Sequence, residues 1–457
     1  MRALTNRVYT NLTLGIVLLF SGTLLGQEIG PTLSKAEAFE QMLESNFGIQ
    51  IARNNVSIAE NNKSILNANY LPSLTGLAGA TYDNTSSVTD FNGATDNEGN
   101  PRPDIEINDA ETRRYNASLN LDYTLFDGLG RYYNFKQLKE TYNLSQLEAR
   151  ETIELTTIQL FTVYYEVARV TENVEVLQQT LEISRNREQR AAYEFEYGQS
   201  NKLNVLNAQV DVTTDSINLL NALQRLENVK RDLNVVLNRD LETQFEVETD
   251  VDFVEVLVAE EMDDLASANN VTLLQAEKDI LISDYAIKSA RSLLLPSIGL
   301  TGSYGWNRNE NPASAFFPGT TNMSNSYNIG ASLRWNIFDG GRSITAVKNA
   351  KIFYSNQELI KEQLEQQVYR DIANAKGNYI NALEVYRLQE QNVVTAEDNF
   401  RRSAEQLKIG QITNIEFRQA QVNLLNAQTT KNAAKFAAKV AELNYLQLVG
   451  QLLNVEF

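Results

Sequence analysis

The chain of 457 residues contains no cysteine and no histidine. The first absence excludes disulfides, thiolate metal sites, a cysteine nucleophile and lipoprotein-type acylation. The second removes the commonest general base and the commonest metal ligand together. No Gly-x-x-x-x-Gly-Lys-Ser/Thr phosphate loop and no dinucleotide fingerprint stands at a strand-to-helix turn. The four methionines form no cluster that would serve a soft metal. No catalytic residue, metal site or cofactor is therefore expected, and a hydrolase would have to work with carboxylates alone. Positive charge is also scarce: 40 Lys and Arg face 58 Asp and Glu, a net of −18. A nucleic-acid partner is excluded on that count, because it calls for a basic face that displaces counterions.

Long apolar runs are equally few. The clearest, Leu12–Phe20, follows Arg2 and Arg7 and precedes small residues ending at Gly26. That order of basic start, short apolar core and small residues reads as a secretory signal over residues 1–26. Beyond Phe20 no stretch reaches the roughly 20 apolar residues of a spanning helix. The protein is expected to be exported, and any membrane crossing has to be made by strands.

What the chain does have is a repeat. Tyr115–Asn238 aligns on Tyr327–Gly450 at a constant offset of 212, with "YNASLNLDYTLFDG" set against "YNIGASLRWNIFDG". Upstream, "LPS" at Leu71–Ser73 matches "LPS" at Leu295–Ser297. The difference in offset falls in the Asn/Asp/Gly-rich segment Asp83–Asp104, expected to be the longer of two hairpin loops. The first repeat covers 34–238: a helix to Asn69, a β-hairpin over 74–126, then long helices over 131–237. An acidic connector follows at 239–262. The second repeat covers 263–453, with its hairpin over 298–338 and long helices over 343–453. A glycine-free run from Arg131 to Glu196 predicts a helix reaching roughly 100 Å, broken at Gly198 as its copy is broken at Gly410. Leu203, Leu206, Val210, Thr213, Ile217 and Leu220, spaced three and four apart, predict a heptad seam against another helix.

The strands alternate. Tyr115, Ala117, Leu119, Leu121 and Tyr123 share one face, with Asn116, Ser118, Asn120 and Asp122 on the other; Tyr327–Ile337 repeats the pattern, with Arg334 at the position of Asp122. Period two over about 11 residues suits a tilted membrane strand with interfacial aromatics. It equally suits the half-buried sheet of a soluble domain, so a secreted coiled-coil scaffold or adhesin stands as the alternative. Four strands cannot close a barrel, and open edges are not tolerated in lipid. If the strands span a membrane, several copies must pool them. Asp122 and Arg334 would then face a lumen, paired across neighbouring strands or solvated separately.

The LPS strand starts, the duplicated strand–FDG–helix joints, the glycine breaks and the "NAQV"/"QAQV" helices beyond them resemble the TolC-like family of outer-membrane efflux and secretion channels. The resemblance runs from about Ser34 to Leu453. It implies an α+β membrane protein whose four strands per chain form part of a trimeric, twelve-stranded transmembrane β-barrel, continued by a periplasmic α-helical barrel. It further implies a passive outer-membrane exit duct for a tripartite efflux pump or a type I secretion system. The partners implied are two further copies of the chain, outer-membrane lipid, a periplasmic adaptor (membrane fusion) protein and, indirectly, an inner-membrane pump. The adaptor would dock at the hairpin tips Tyr197-Gly198-Gln199 and Ile409-Gly410-Gln411. Glu416, with Asn204 as its counterpart, stands where the family can carry an aperture gate, although Leu407 and Ile412 replace the family's Tyr and Arg partners. Glu416 as a solvated helix residue is the other reading. The joints Phe126-Asp127-Gly128 and Phe338-Asp339-Gly340 are expected to be structural seams between strand and helix.

Overall fold

A computed structural model describes residues 31–254, 266–313 and 317–455. The expected signal segment 1–26 and connector residues 255–262 lie outside the described residues. Among the described residues fourteen elements follow one another, with a 3-10 turn at Leu452–Asn454: β1 (Thr32–Leu33), α1 (Lys35–Ser45), α2 (Phe47–Asn62), β2 (Ser73–Thr89), β3 (Ile105–Phe126), α3 (Gly130–Glu196), α4 (Lys202–Val236), β4 (Glu246–Val247), α5 (Ala266–Asn269), α6 (Val271–Ser292), β5 (Ser297–Asn311), β6 (Thr320–Arg334), α7 (Arg342–Lys408) and α8 (Asn414–Leu448). The repeat is visible in the element lengths. Both α3 and α7 have 67 residues, both α4 and α8 have 35, and each pair starts 212 positions apart.

The chain divides into two compact units. One comprises residues up to 51, 152–270 and from 369 onward. Its core gathers Phe161, Tyr164 and Tyr165 of α3 with Met42, Leu233, Phe436 and Leu446. The rings of Phe161 and Tyr165 stack at 5.9 Å, and Tyr165 stacks on Phe436 at 5.8 Å. Burial pushes the hydroxyls of Tyr164 and Tyr165 well above the ordinary phenol range. The Tyr164 hydroxyl is nevertheless satisfied: it donates to the Leu33 carbonyl at 2.7 Å and accepts from the Glu248 amide at 2.9 Å. Those bonds flank the short parallel ladder in which Leu33 pairs with Val247, so part of the connector is pinned to this core.

The other unit, 52–151 and 271–368, holds a four-stranded antiparallel sheet in the order β2-β3-β5-β6.

The structure differs from the sequence reading at several ends. The first helix is two, because Asn46 takes an extended conformation (ψ 127) and spends its side chain on the break. Its Oδ1 accepts from Gly48 N at 2.8 Å, and its Nδ2 donates to Val236 O at 2.9 Å. The segment Asp83–Asp104 is not all loop: Asp83 pairs with Thr112 and the ladder runs to Thr89, as its Thr, Ser and Val residues favour. In the second half the strand stops at Arg334 rather than Phe338, because its partner β5 begins opposite, at Ser297. The heptad stripe of α4 is not the seam that packs within the chain. Leu203, Leu206, Val210, Ile217 and Leu220 are exposed, while Val205, Ala208 and Asp215 on the opposite side are buried.

Candidate functional site: a two-faced sheet and two hairpin tips

The strand register gathers most apolar positions of the sheet on one face. Leu74 lies opposite Leu121, Ala78 opposite Ala117, Leu119 opposite Tyr304, and Tyr304 opposite Tyr327. Most of these side chains are exposed in the single chain, Tyr327 at 83%, as is Ile329 of the same face at 78%. An apolar face of that extent in contact with water is unfavourable at about 25 cal/mol per Å², so it needs an apolar medium. The other face is built from Ser73, Thr75, Asn120, Ser118, Asn116, Ser303, Asn328 and Ser326, with Leu77 as its apolar exception. Asp122 lies on this face opposite Ser73 and Thr301, and Arg334 opposite Ser297. Strand β5 separates β3 from β6, so within one chain Asp122 and Arg334 are not on neighbouring strands. They line a common hollow of about 660 Å³ at the end of the sheet where the helices begin. Both outer strands, β2 and β6, keep one edge unpaired among the described residues.

The strand–helix joints are made alike. Asp127 Oδ2 accepts from the Arg131 amide at 2.9 Å, and Asp339 Oδ2 accepts from the Ser343 amide at 3.0 Å. Each aspartate thus satisfies a free N–H at the start of a 67-residue helix. Two consecutive residues at each joint have positive φ: Gly128 and Leu129 in the first, Gly340 and Gly341 in the second. A side chain at Gly128 would strike the Ser292 carbonyl at 2.7 Å. Arg131 adds a bond to the Asn69 carbonyl at 2.9 Å and lies over the Tyr70 ring. Phe126 ends β3 opposite Ile298, whereas Phe338 is 86% exposed beyond the end of β6.

The tips are also alike. Gly198 (φ +71) and Gly410 (φ +72) close α3 and α7. The amides of Gly198 and Gln199 donate to Phe195 O and Glu194 O, at 3.0 and 2.7 Å; those of Gly410 and Gln411 donate to Leu407 O and Gln406 O, at 3.1 and 2.9 Å. Both are Schellman ends, for which glycine is the cheap residue. Tyr197 and Ile409, just before each glycine, are exposed. The returning helices are capped by Asn201, whose Oδ1 accepts from Asn204 N at 3.0 Å, and by Thr413. Glu416 completes a capping box: its Oε2 accepts from Thr413 N at 2.7 Å. Hydrogen bonds from Thr413 hold its carboxyl below the usual glutamate range. Asn204 donates to Ser200 Oγ at 2.8 Å.

Sequence reasoning missed a buried polar network above the first tip. Arg418 of α8 is bidentate on Asp215 of α4, with both N–O distances 2.7 Å. Ser184 of α3 donates to Asp215 Oδ2 at 2.6 Å, and Gln421 Nε2 donates to the Thr180 carbonyl at 3.0 Å. Arg187 pairs with Asp211, and Arg418 Nε lies 3.5 Å from the same carboxylate. Burial pushes the Arg187 guanidinium down. Burial opposes the Arg418 cation too, but its bonds to Asp215 carry it above the ordinary arginine range. The signal available in the sequence is asymmetry. At an offset of 212, Ser184, Arg187, Asp211 and Asp215 become Ala396, Asn399, Asn423 and Ala427.

No helix among the described residues is long and apolar enough to cross a membrane, and no cluster of acidic residues there would hold a metal. A family profile described as "Outer membrane efflux protein" matches residues 38–239 and 264–451. The outer membrane efflux protein BepC of Brucella suis biovar 1 is 27% identical over 189 residues, 41% of this chain and 39% of that protein. The outer membrane protein TolC of Vibrio cholerae serotype O1 is 25% identical over 301 residues, 63% of this chain and 66% of that protein. The alignments therefore span under half of one curated relative and about two thirds of the other. In fold, the CmeC outer membrane channel of Campylobacter jejuni superposes with a TM-score of 0.70 at 16% identity, covering 94% of this chain and 91% of that one. With the family profile spanning most of the chain and a channel fold beneath it, this protein belongs to the outer membrane efflux protein family and resides in the outer membrane.

Proposed function

We propose that three copies of the chain pool their strands into a twelve-stranded barrel that serves as a passive exit duct. The observation that carries this reading is the sheet: four strands, largely apolar on one face and hydroxyl- and amide-bearing on the other, with both edges unpaired among the described residues. Such an edge is not tolerated in lipid, and closure with further copies removes it. The polar face then lines a water-filled path, and the apolar face meets acyl chains. A duct of this kind does no chemistry on its cargo. Energy comes from an inner-membrane pump reached through a periplasmic adaptor, which docks on Tyr197-Gly198-Gln199 and Ile409-Gly410-Gln411. The exposed Tyr197 and Ile409 at two rigid Schellman ends support this docking role.

The test is export from cells lacking the gene. Wild-type chain restores efflux of a fluorescent dye, whereas Tyr197→Asp combined with Ile409→Asp leaves the protein in the outer membrane and abolishes restoration. Full efflux with both tips altered would remove the docking role. Recovery of the protein in a soluble fraction without detergent would remove the duct.

A further inference from the structure

The apolar face of the sheet ends at a charged row. Along β5 the residues on that face are Ile298, Leu300, Gly302, Tyr304 and Trp306, and the next is Arg308. At about 3.4 Å per residue and a tilt of about 40°, the ten positions from Ile298 to Arg308 climb about 26 Å, close to the apolar band of an outer-membrane barrel. The helices leave from the Ile298 end, where Phe126 closes β3. Arg308 therefore lies at the opposite boundary, where the outer leaflet presents its headgroups.

Arg308 is not alone there. It pairs with Tyr115 of β3 and Met323 of β6, and Arg113, two residues from Tyr115, is its diagonal neighbour on the same face. The Arg113 guanidinium lies 5.9 Å from the centre of the Tyr82 ring. Tyr82, Tyr115 and Trp306 thus set both arginines among interfacial aromatics. Each arginine has an acidic neighbour on its own strand: Arg113 lies 2.8 Å from Glu111, and Arg308 lies 2.5 Å from Glu310. Such part-exposed pairs contribute little, and a guanidinium has five N–H donors to satisfy. One of them, on Arg308 Nε, is buried and has no hydrogen-bond partner among the described residues. An orphan donor at a membrane boundary calls for an acceptor.

We propose that Arg113 and Arg308 hold the phosphate of an outer-leaflet lipid headgroup whose acyl chains lie along the apolar face. Arginine suits phosphate because its planar fork makes two parallel charge-assisted bonds. Two features select a lipid over a free anion. The patch is continuous with the apolar face, through Tyr115 and Met323. Glu111 and Glu310 also balance the two cations, so a soluble phosphate gains little long-range attraction and lacks the chains that would keep it there. Arg114, next along β3, lies on the polar face 3.7 Å from Asp83 and takes no part. The inference rests on the barrel reading above and adds a headgroup to the acyl contact given there.

The test uses the full-length protein purified from outer membranes in neutral detergent, with a chelator present so that no divalent cation bridges carboxylate and phosphate. Native mass spectrometry reads the lipid retained, with lipid A, its dephosphorylated form and inorganic phosphate as probes. Wild-type protein is expected to retain lipid A and to hold the dephosphorylated form about ten-fold more weakly. Arg113→Gln with Arg308→Gln is expected to lose as much, and Arg114→Gln to match the wild type. Glu111→Gln with Glu310→Gln, which frees both guanidiniums, is expected to bind lipid A more tightly than the wild type. Undiminished retention by the arginine double variant, or of the dephosphorylated lipid, would overturn the site. So would displacement of lipid A by excess inorganic phosphate, or no gain in the glutamate double variant. Should the arginine variant fail to assemble, the wild-type comparison of the two lipids decides. The same spectra count the chains: three chains without lipid retention overturn the site and leave the barrel, and a single chain overturns both.

Discussion

The two halves of the chain end their helices by the same backbone rules and line the grooves between those helices with different side chains. Gly198 and Gly410 close α3 and α7, and Asn238 and Gly450 stand 212 apart at the ends of α4 and α8, all with positive φ. Between those ends, Ser184, Arg187, Asp211 and Asp215 form a charged cluster where the second half has Ala396, Asn399, Asn423 and Ala427. Backbone geometry is required by the element order, which the halves share. Side-chain chemistry answers to what packs in the groove, and in the first half that is Arg418 and Gln421 of α8.

The largest test of that contrast is Asp215→Ala. It leaves the Arg418 guanidinium, 17% exposed, without its carboxylate, and a loss of about 3–5 kcal/mol is expected. Asn423→Ala in the other half should stay within about 0.5 kcal/mol. Thermal unfolding of the detergent-purified protein reads both; equal losses would erase the distinction.

The helix ends allow a finer comparison. Gly450→Ala sets a Cβ 2.4 Å from the Asn269 carbonyl oxygen, whereas at Gly410 the same atom meets open space. Strain alone should cost Gly410→Ala about 1–2 kcal/mol, and overpacking should add about 1–3 kcal/mol at Gly450. Comparable melting temperatures for the two variants would mean that the end of α8 is looser than described.

At the joints, Leu129 carries φ +70 where the second copy has Gly341 at φ +86. Leu129→Gly should therefore gain about 1 kcal/mol, and Gly341→Leu should lose about as much.

Smallest are the caps. Thr413→Ala should cost about 1 kcal/mol, and Asn201→Ala about the same. Only the Thr413 cap should respond to acid. The folded-state pKa of Glu416 lies below its unfolded value, so its contribution is present above the ordinary glutamate range. It is lost as pH falls below the ordinary glutamate range and through the lowered value. Backbone hydrogen exchange at the start of α8 measures this, with the start of α4 as the unresponsive control.

Period two and the 212-residue repeat were legible in the sequence because both are local or self-referential. Alternation along Tyr115–Tyr123 revealed a two-faced sheet without knowledge of its partners, and "FDG" revealed a capped joint. Strand ends were less legible, because pairing across the hairpin extends β2 to Thr89 through residues whose composition reads as loop. The stripe Leu203–Leu220 was found by its spacing, but spacing does not say which helix covers it. The charged cluster escaped because Ser184, Asp215 and Arg418 are up to 234 positions apart and only packing brings them together.

The central claim is that one chain holds a third of a barrel. The mass of the full-length protein extracted from outer membranes, measured by light scattering with the detergent contribution subtracted, tests it most directly. The account predicts three chains of 51.4 kDa, each reduced by whatever leader is removed on export. A single chain, stable and dispersed with its sheet edges open, would contradict it.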